Sequence, residues 1–157
     1  MPSLKLYRTE VAVITADSSI EEAAKLMRDF RVGSIVVIES TTDGSFFPVG
    51  LLTDRDIVVD VVAEGQESRK LLVAQIMSPH PITVNYSATL EEMLTLMKDF
   101  NVRRLPVVDD KRNLVGFVSF DDLLERVGAE LSFLSQLSNG QNRLEKVITP
   151  VRDNRFS

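Results

Sequence analysis

The chain has 157 residues, 44% hydrophobic and 26% charged, with 7 glycines, 6 prolines, no cysteine and a formal charge of −5. A chain of this length buries roughly 70% of its unfolded surface without a metal or disulfide, and the lack of cysteine excludes disulfide scaffolds, thiolate metal sites and cysteine nucleophiles while fitting a reducing compartment, the cytoplasm. The 23 acidic against 18 basic residues argue against nucleic acid as the main ligand, and the single histidine, His80, against a His-rich metal site or a histidine-based catalytic triad.

Taken in order, residues 1–8 have no long apolar core, and nowhere do about eighteen apolar residues run together, so neither a secretion signal nor a membrane span is expected. Ser19 and Glu22 read as the capping pair of a helix whose Ile20, Ala23, Ala24 and Met27 share one face. Ile35-Val36-Val37-Ile38 is a continuous apolar run suited to a strand buried on both faces, and a loop over 40–47 precedes a strand starting at Val49. The polar stretch 64–68 is a short joint, and Pro79-His80-Pro81 reads as extended chain entering the β-prone run 82–84.

Then the order recurs. Thr89 and Glu92 form a second capping pair, Leu90, Met93, Leu94 and Met97 a second helical stripe, and Leu105-Pro106-Val107-Val108 a second buried strand. A loop over 109–113 leads to a strand over 114–119. Leu124, Val127, Leu131 and Leu134 continue as a helix that Ser138-Asn139-Gly140 is expected to stop, leaving a polar tail over 141–157 with one apolar island, Val147-Ile148. The methionines 27, 77, 93 and 97 read as packing residues.

The recurrence is a true internal repeat. Shifted by 70, residues 14–39 lie over 84–109 with eight of 26 pairs identical, among them Glu21/Glu91, Met27/Met97 and Val37/Val107; chance gives about two. After a longer loop in the first repeat the match resumes, with Gly50-Leu51-Leu52-Thr53-Asp54-Arg55-Asp56 over Gly116-Phe117-Val118-Ser119-Phe120-Asp121-Asp122.

These two motifs carry the chemistry. A glycine lets the strand approach a ligand or a neighbour closely, and the strand delivers a hydroxyl to a helix N-terminus, where exposed N–H groups receive a phosphate. Three residues on, a carboxylate can accept both hydroxyls of a sugar diol. The same hydroxyl-and-acid spacing is also an ordinary capping box, and one isolated motif would favour that reading. Recurrence behind the same glycine favours a ligand.

With these motifs, together with Thr89-Leu90-Glu91-Glu92 and Arg103-Arg104-Leu105-Pro106-Val107-Val108, residues 6–124 resemble a tandem pair of cystathionine-β-synthase (CBS) domains, the Bateman module. The resemblance implies an α/β fold of two β-α-β-β-α repeats packed as a pseudo-twofold pair, over 1–66 and 67–128, with a helical extension and tail over 129–157. It further implies no enzyme activity, no cofactor and no metal, but a regulatory adenosine ligand such as AMP, ADP or ATP held between the repeats. Asp56 and Asp122 would then hold ribose hydroxyls, Thr53 and Ser119 would touch phosphate, and Thr83 would line the second site. Backbone around Ile82, Leu105 and Pro106 would meet the adenine. Arg55, Arg103 and Arg104 are the candidate phosphate partners. At the places of Thr83 and Arg103-Arg104 the first repeat has Val13 and Gly33-Ser34, so the site built on Ser119 and Asp122 is expected to be the tighter, unless the second repeat's arginines reach across to Thr53 and Asp56. The expected partners are a second copy of the chain, as a homodimer, and an unidentified regulated protein; a ligand-independent interaction module is the alternative.

Overall fold

In the computed structural model the backbone is described over residues 5–148 and the side chains over 5–140. Two compact units are present, Met1–Phe120 and Asp121–Ser157.

The first unit holds both repeats. Strand β1 (Val13–Thr15), helix α1 (Ile20–Phe30) and strands β2 (Ser34–Ser40) and β3 (Phe46–Thr53) are followed by the short α2 (Asp54–Ile57), which runs into a π-helical segment, Val58–Val62. Then come α3 (Val73–Ile76), β4 (Ser78–Pro79), β5 (Val84–Asn85), α4 (Leu90–Asp99), β6 (Arg104–Val108) and β7 (Leu114–Ser119). Helices α1 and α4 start where the sequence places them: Ser19 and Thr89 accept from the N–H of Glu22 and Glu92, whose carboxylates accept from the cap N–H groups in return. Two orphan donors at each helix start are thereby satisfied.

The sheets repeat as closely as the residues. β2 pairs parallel with β1 and antiparallel with β3; β6 pairs parallel with β5 and antiparallel with β7. Even the register irregularity recurs, between Val37 and Ile38 in one sheet and between Val107 and Val108 in the other. The apolar runs become the central strands. Ile35, Val37, Leu105 and Val107 are fully buried, and Met27, Met93 and Met97 pack inside as expected. Both helices end in a left-handed residue, Arg31 (φ 54°) and Asn101 (φ 51°), where the following N–H groups, of Val32 and Val102, return to the carbonyls of Met27 and Met97.

One feature exchanges segments between the repeats. The lead-in to the second repeat forms β4, which joins the first repeat's sheet with Ser78 opposite Leu51 and Pro79 opposite Gly50. Reciprocally, the lead-in to the first repeat places Arg8 opposite Phe117 in the second repeat's sheet, with both N–H···O bonds at 2.9 Å. Residues 79–81 are therefore not one extended entry into a strand: Pro79 ends β4, His80 turns the chain with φ 52°, and the next strand begins only at Val84.

The second unit is helical. Helix α5 (Phe120–Ile148) continues through Ser138-Asn139-Gly140, so those residues do not end it, because polar residues without a proline leave the i→i−4 ladder intact. Leu124, Leu131, Phe133, Leu134 and Leu137 are all exposed along it. The expected tail beyond Ile148 lies outside the described residues. No helix among the described residues is long and apolar enough to cross a membrane.

Candidate functional site

Strand β3 ends at Thr53 and α2 begins one residue later, which brings Thr53 and Asp56 to a cavity of about 330 Å³. Its other walls are Ile82 and the turn at His80 on one side, and Val102, Arg103 and Arg104 on the other. Motif residues of the first repeat thus meet the arginine pair of the second.

The capping reading of the motif is realised. Thr53 Oγ1 accepts from the Asp56 N–H at 3.1 Å, and Asp56 Oδ2 accepts from the Thr53 N–H at 2.8 Å. Capping does not exhaust either group. The threonine hydroxyl accepts in the cap and keeps its own proton to donate, and an ionised carboxylate has about four lone-pair positions. Asp56 can therefore accept from hydroxyl donors while the cap stays intact.

The cationic wall is anchored from within the same unit. The Arg103 guanidinium lies 4.6 Å from the centre of the Phe120 ring, a cation–π contact that holds it by a planar face. Arg104 opens β6 opposite Ser119 in the ladder. Both arginines are exposed. Taken together, the cavity offers an acceptor pair for hydroxyls, a hydroxyl donor and two guanidinium groups beside an apolar wall.

The other sequence candidates are placed as follows. Arg55 is exposed and stands outside this cavity's lining. Thr83 lines two different cavities, of about 550 and 580 Å³. Leu105 and Pro106 are buried in the middle of β6. Ser119 ends β7, and Asp122 lies in the first turn of α5. Sequence reasoning missed Ser78, Pro79 and Pro81 as cavity walls, and the only signal for them was the proline-flanked histidine.

The glycine of each motif has a structural cause. A Cβ on Gly50 would stand 2.5 Å from Met77 Sδ and 3.1 Å from the Ser78 carbonyl oxygen; one on Gly116 would stand 2.7 Å from the Arg8 carbonyl oxygen and against the Tyr7 ring. The close neighbour is the exchanged lead-in segment in both cases. The glycines are thereby explained without a ligand.

Comparison with known proteins agrees with the repeat. The family model described as CBS domain matches twice, at residues 5–62 and 73–129. The chain is 34% identical over 121 residues to an uncharacterized protein of Methanopyrus kandleri, covering 77% of this chain and 60% of that one. It is 37% identical over 131 residues to the CBS domain-containing protein YhcV of Bacillus subtilis, covering 83% and 89% respectively. Among solved structures, a hexameric CBS-CP12 protein from bloom-forming cyanobacteria superposes with a TM-score of 0.66 at 25% identity, covering 78% of this chain and 68% of that one. Two matches to the family model, in the two halves that repeat each other, show that this chain belongs to the CBS-domain family as a tandem pair.

Proposed function

We propose that the CBS pair is a non-catalytic regulatory module that binds an adenosine nucleotide, AMP, ADP or ATP, in the cavity of Thr53, Asp56, Ile82, Arg103 and Arg104, and passes its occupancy to a regulated protein. One observation carries this reading. A carboxylate with spare acceptors, a hydroxyl donor and two guanidiniums line one cavity with an apolar wall, which matches a ribose diol, a phosphate and a base in turn. The volume, about 330 Å³, lies at the lower end of small-ligand cavities. The equivalent sequence motif at Ser119 and Asp122 is proposed as a second determinant of binding.

Thermal unfolding with AMP, ADP, ATP, S-adenosylmethionine, NAD and GTP tests this. A ligand that prefers the folded state raises the midpoint, the stabilisation growing with the logarithm of its concentration over its Kd. At least one adenine nucleotide is expected to do so, with GTP inactive.

A second reading, a ligand-independent interaction module, is favoured by the five exposed large apolar side chains of α5 and by the hexameric state of the cyanobacterial relative. A panel in which no nucleotide moves the midpoint overturns the nucleotide reading and favours this one.

A further inference from the structure

Among the described residues, four other than glycine have a positive φ: Arg31, His80, Asn101 and Arg112. Arg31 and Asn101 end helices, where a left-handed residue closes the last turn. His80 (φ 52°) and Arg112 (φ 68°) end no helix, and both line one cavity of about 580 Å³ within the first unit. That cavity is larger than the one of Thr53 and Asp56, about 330 Å³.

The fold requires neither side chain. In the first repeat's turn the Thr41 N–H donates to the Ser45 carbonyl (2.9 Å) and the Gly44 N–H to that of Thr41 (3.1 Å); in the second repeat's turn the Asp109 N–H donates to Asn113 (2.9 Å) and the Arg112 N–H to Asp109 (3.0 Å). The two turns are built alike, and their left-handed place holds Gly44 (φ 82°) in one and Arg112 in the other. Glycine adopts that conformation freely and arginine only at a cost, so the turn does not account for the arginine. At the place of His80, shifted by 70, the first repeat has Glu10, with no positive φ. An acid and a glycine thus stand where the second repeat has an imidazole and a guanidinium.

The chemistry of the cavity is that of an anion site with an apolar wall. Arg112 is in no ion pair among the described residues. The acids of its own turn are engaged elsewhere: Asp109 accepts from the N–H groups of Lys111 and Asn113, and Asp110 from Asn85 Nδ2. A guanidinium offers a planar fork of donors, and an imidazole donates an N–H whether charged or neutral. Thr83 adds a hydroxyl, while Phe47, Pro81 and Val108 supply apolar surface. We propose that this cavity binds a small organic acid, a carboxylate or phosphate head on an aromatic or branched apolar body, with Arg112, His80 and Thr83 at the head. Left-handed backbone at both the arginine and the histidine is the strain that a site retains when a ligand, and not the fold, sets the side chain. His80 and Pro81 border the Thr53 cavity as well, but Phe47, Val108 and Arg112 do not, so the proposal stands apart from nucleotide binding.

The test titrates the isotope-labelled full chain with phenylacetate and with phenyl phosphate and follows backbone amides by heteronuclear NMR. Both acids are expected to shift the amides of Phe47, Val108 and Arg112 saturably, the tighter of the two identifying the head group. Benzyl alcohol and inorganic phosphate, each lacking one half of the match, should bind roughly tenfold more weakly or worse. Arg112→Gly, which gives the second turn the first turn's residue, should weaken the better acid roughly tenfold or more while leaving the unfolding midpoint unchanged or raised. Arg104→Ala, at the Thr53 cavity, should leave acid binding at these amides unchanged. Absence of a saturable shift, binding of benzyl alcohol or inorganic phosphate as tight as that of the acids, or acid binding that survives Arg112→Gly overturns the proposal. So does a clear fall in the midpoint of Arg112→Gly, which assigns the arginine to the fold, or a loss of the shifts in Arg104→Ala, which assigns the acid to the Thr53 cavity.

Discussion

A side chain on Gly116 would put its Cβ 2.7 Å from the carbonyl oxygen of Arg8. That single approach records how the repeats are tied: each lends its lead-in segment to the other's sheet, and each sheet carries a glycine under the crossing. Backbone cannot swing aside as a side chain can. Gly116→Ala is therefore expected to destabilise by about 2–3 kcal/mol in urea unfolding, and Gly50→Ala by about 1 kcal/mol, because the closest atom there belongs to the flexible Met77. Equal losses at the two positions would show that the crossings are not what the glycines accommodate.

The arginine pair decides which motif is tested first. Because Arg103 and Arg104 line the cavity of Thr53 and Asp56, the expectation drawn from charge moves to that motif. Asp56→Ala should weaken nucleotide binding at least tenfold in calorimetry, about 1.4 kcal/mol, and Arg104→Ala by a similar factor at low salt. The arginine effect should shrink as salt rises, since exposed charges are screened. If Asp122→Ala removes the tighter binding event and Asp56→Ala leaves it, the principal site belongs to the second motif.

Arg31 holds a left-handed conformation, φ 54°, that costs an L residue energy and a glycine none. Arg31→Gly should raise stability by about 0.5–1 kcal/mol, the gain reduced by the extra entropy of glycine in the unfolded chain. A lower midpoint would mean that the Arg31 side chain contributes more than its backbone costs.

The contact of Arg69 and Lys25 with Glu21 at the start of α1 has a pH signature. A hydrogen bond from Lys25, reinforced by the charge of Arg69, holds the Glu21 carboxyl below the usual glutamate range. A carboxylate whose folded pKa is depressed contributes stability that is complete above its unfolded value, about 4.3, and is lost as pH falls through the folded one. The stability gap between the parent and Glu21→Gln should therefore be present at pH 7, begin to shrink below about pH 4.3 and be gone once the pH has fallen through the lower folded value. A gap unchanged at pH 3 would exclude the ion pair as its cause.

Leu131 and Leu134 are exposed on α5, at 62% and 59% of their full surface. We expect a second copy to cover them. Light scattering should give at least a dimer mass at micromolar concentration, and Leu131→Glu combined with Leu134→Glu should reduce it to the monomer without lowering the midpoint of the first unit.

The sequence by itself determined the repeat, its helices and its buried strands, because these rest on short-range rules. Capping pairs such as Ser19 and Glu22 are local hydrogen bonds, and runs such as 105–108 are apolar whatever surrounds them. The hydroxyl-and-acid motif was legible for the same reason, since Thr53 and Asp56 are three residues apart. Only the tertiary structure decided who faces whom. No spacing announces that residues 77–79 cross onto β3, that this crossing accounts for Gly50, or that Arg103 stands at the first repeat's cavity. The extent of α5 was misjudged because a polar triplet weakens the apolar stripe without breaking the backbone ladder. Contacts between segments far apart in sequence depend on how whole sheets pair, and local pattern carries no record of that pairing.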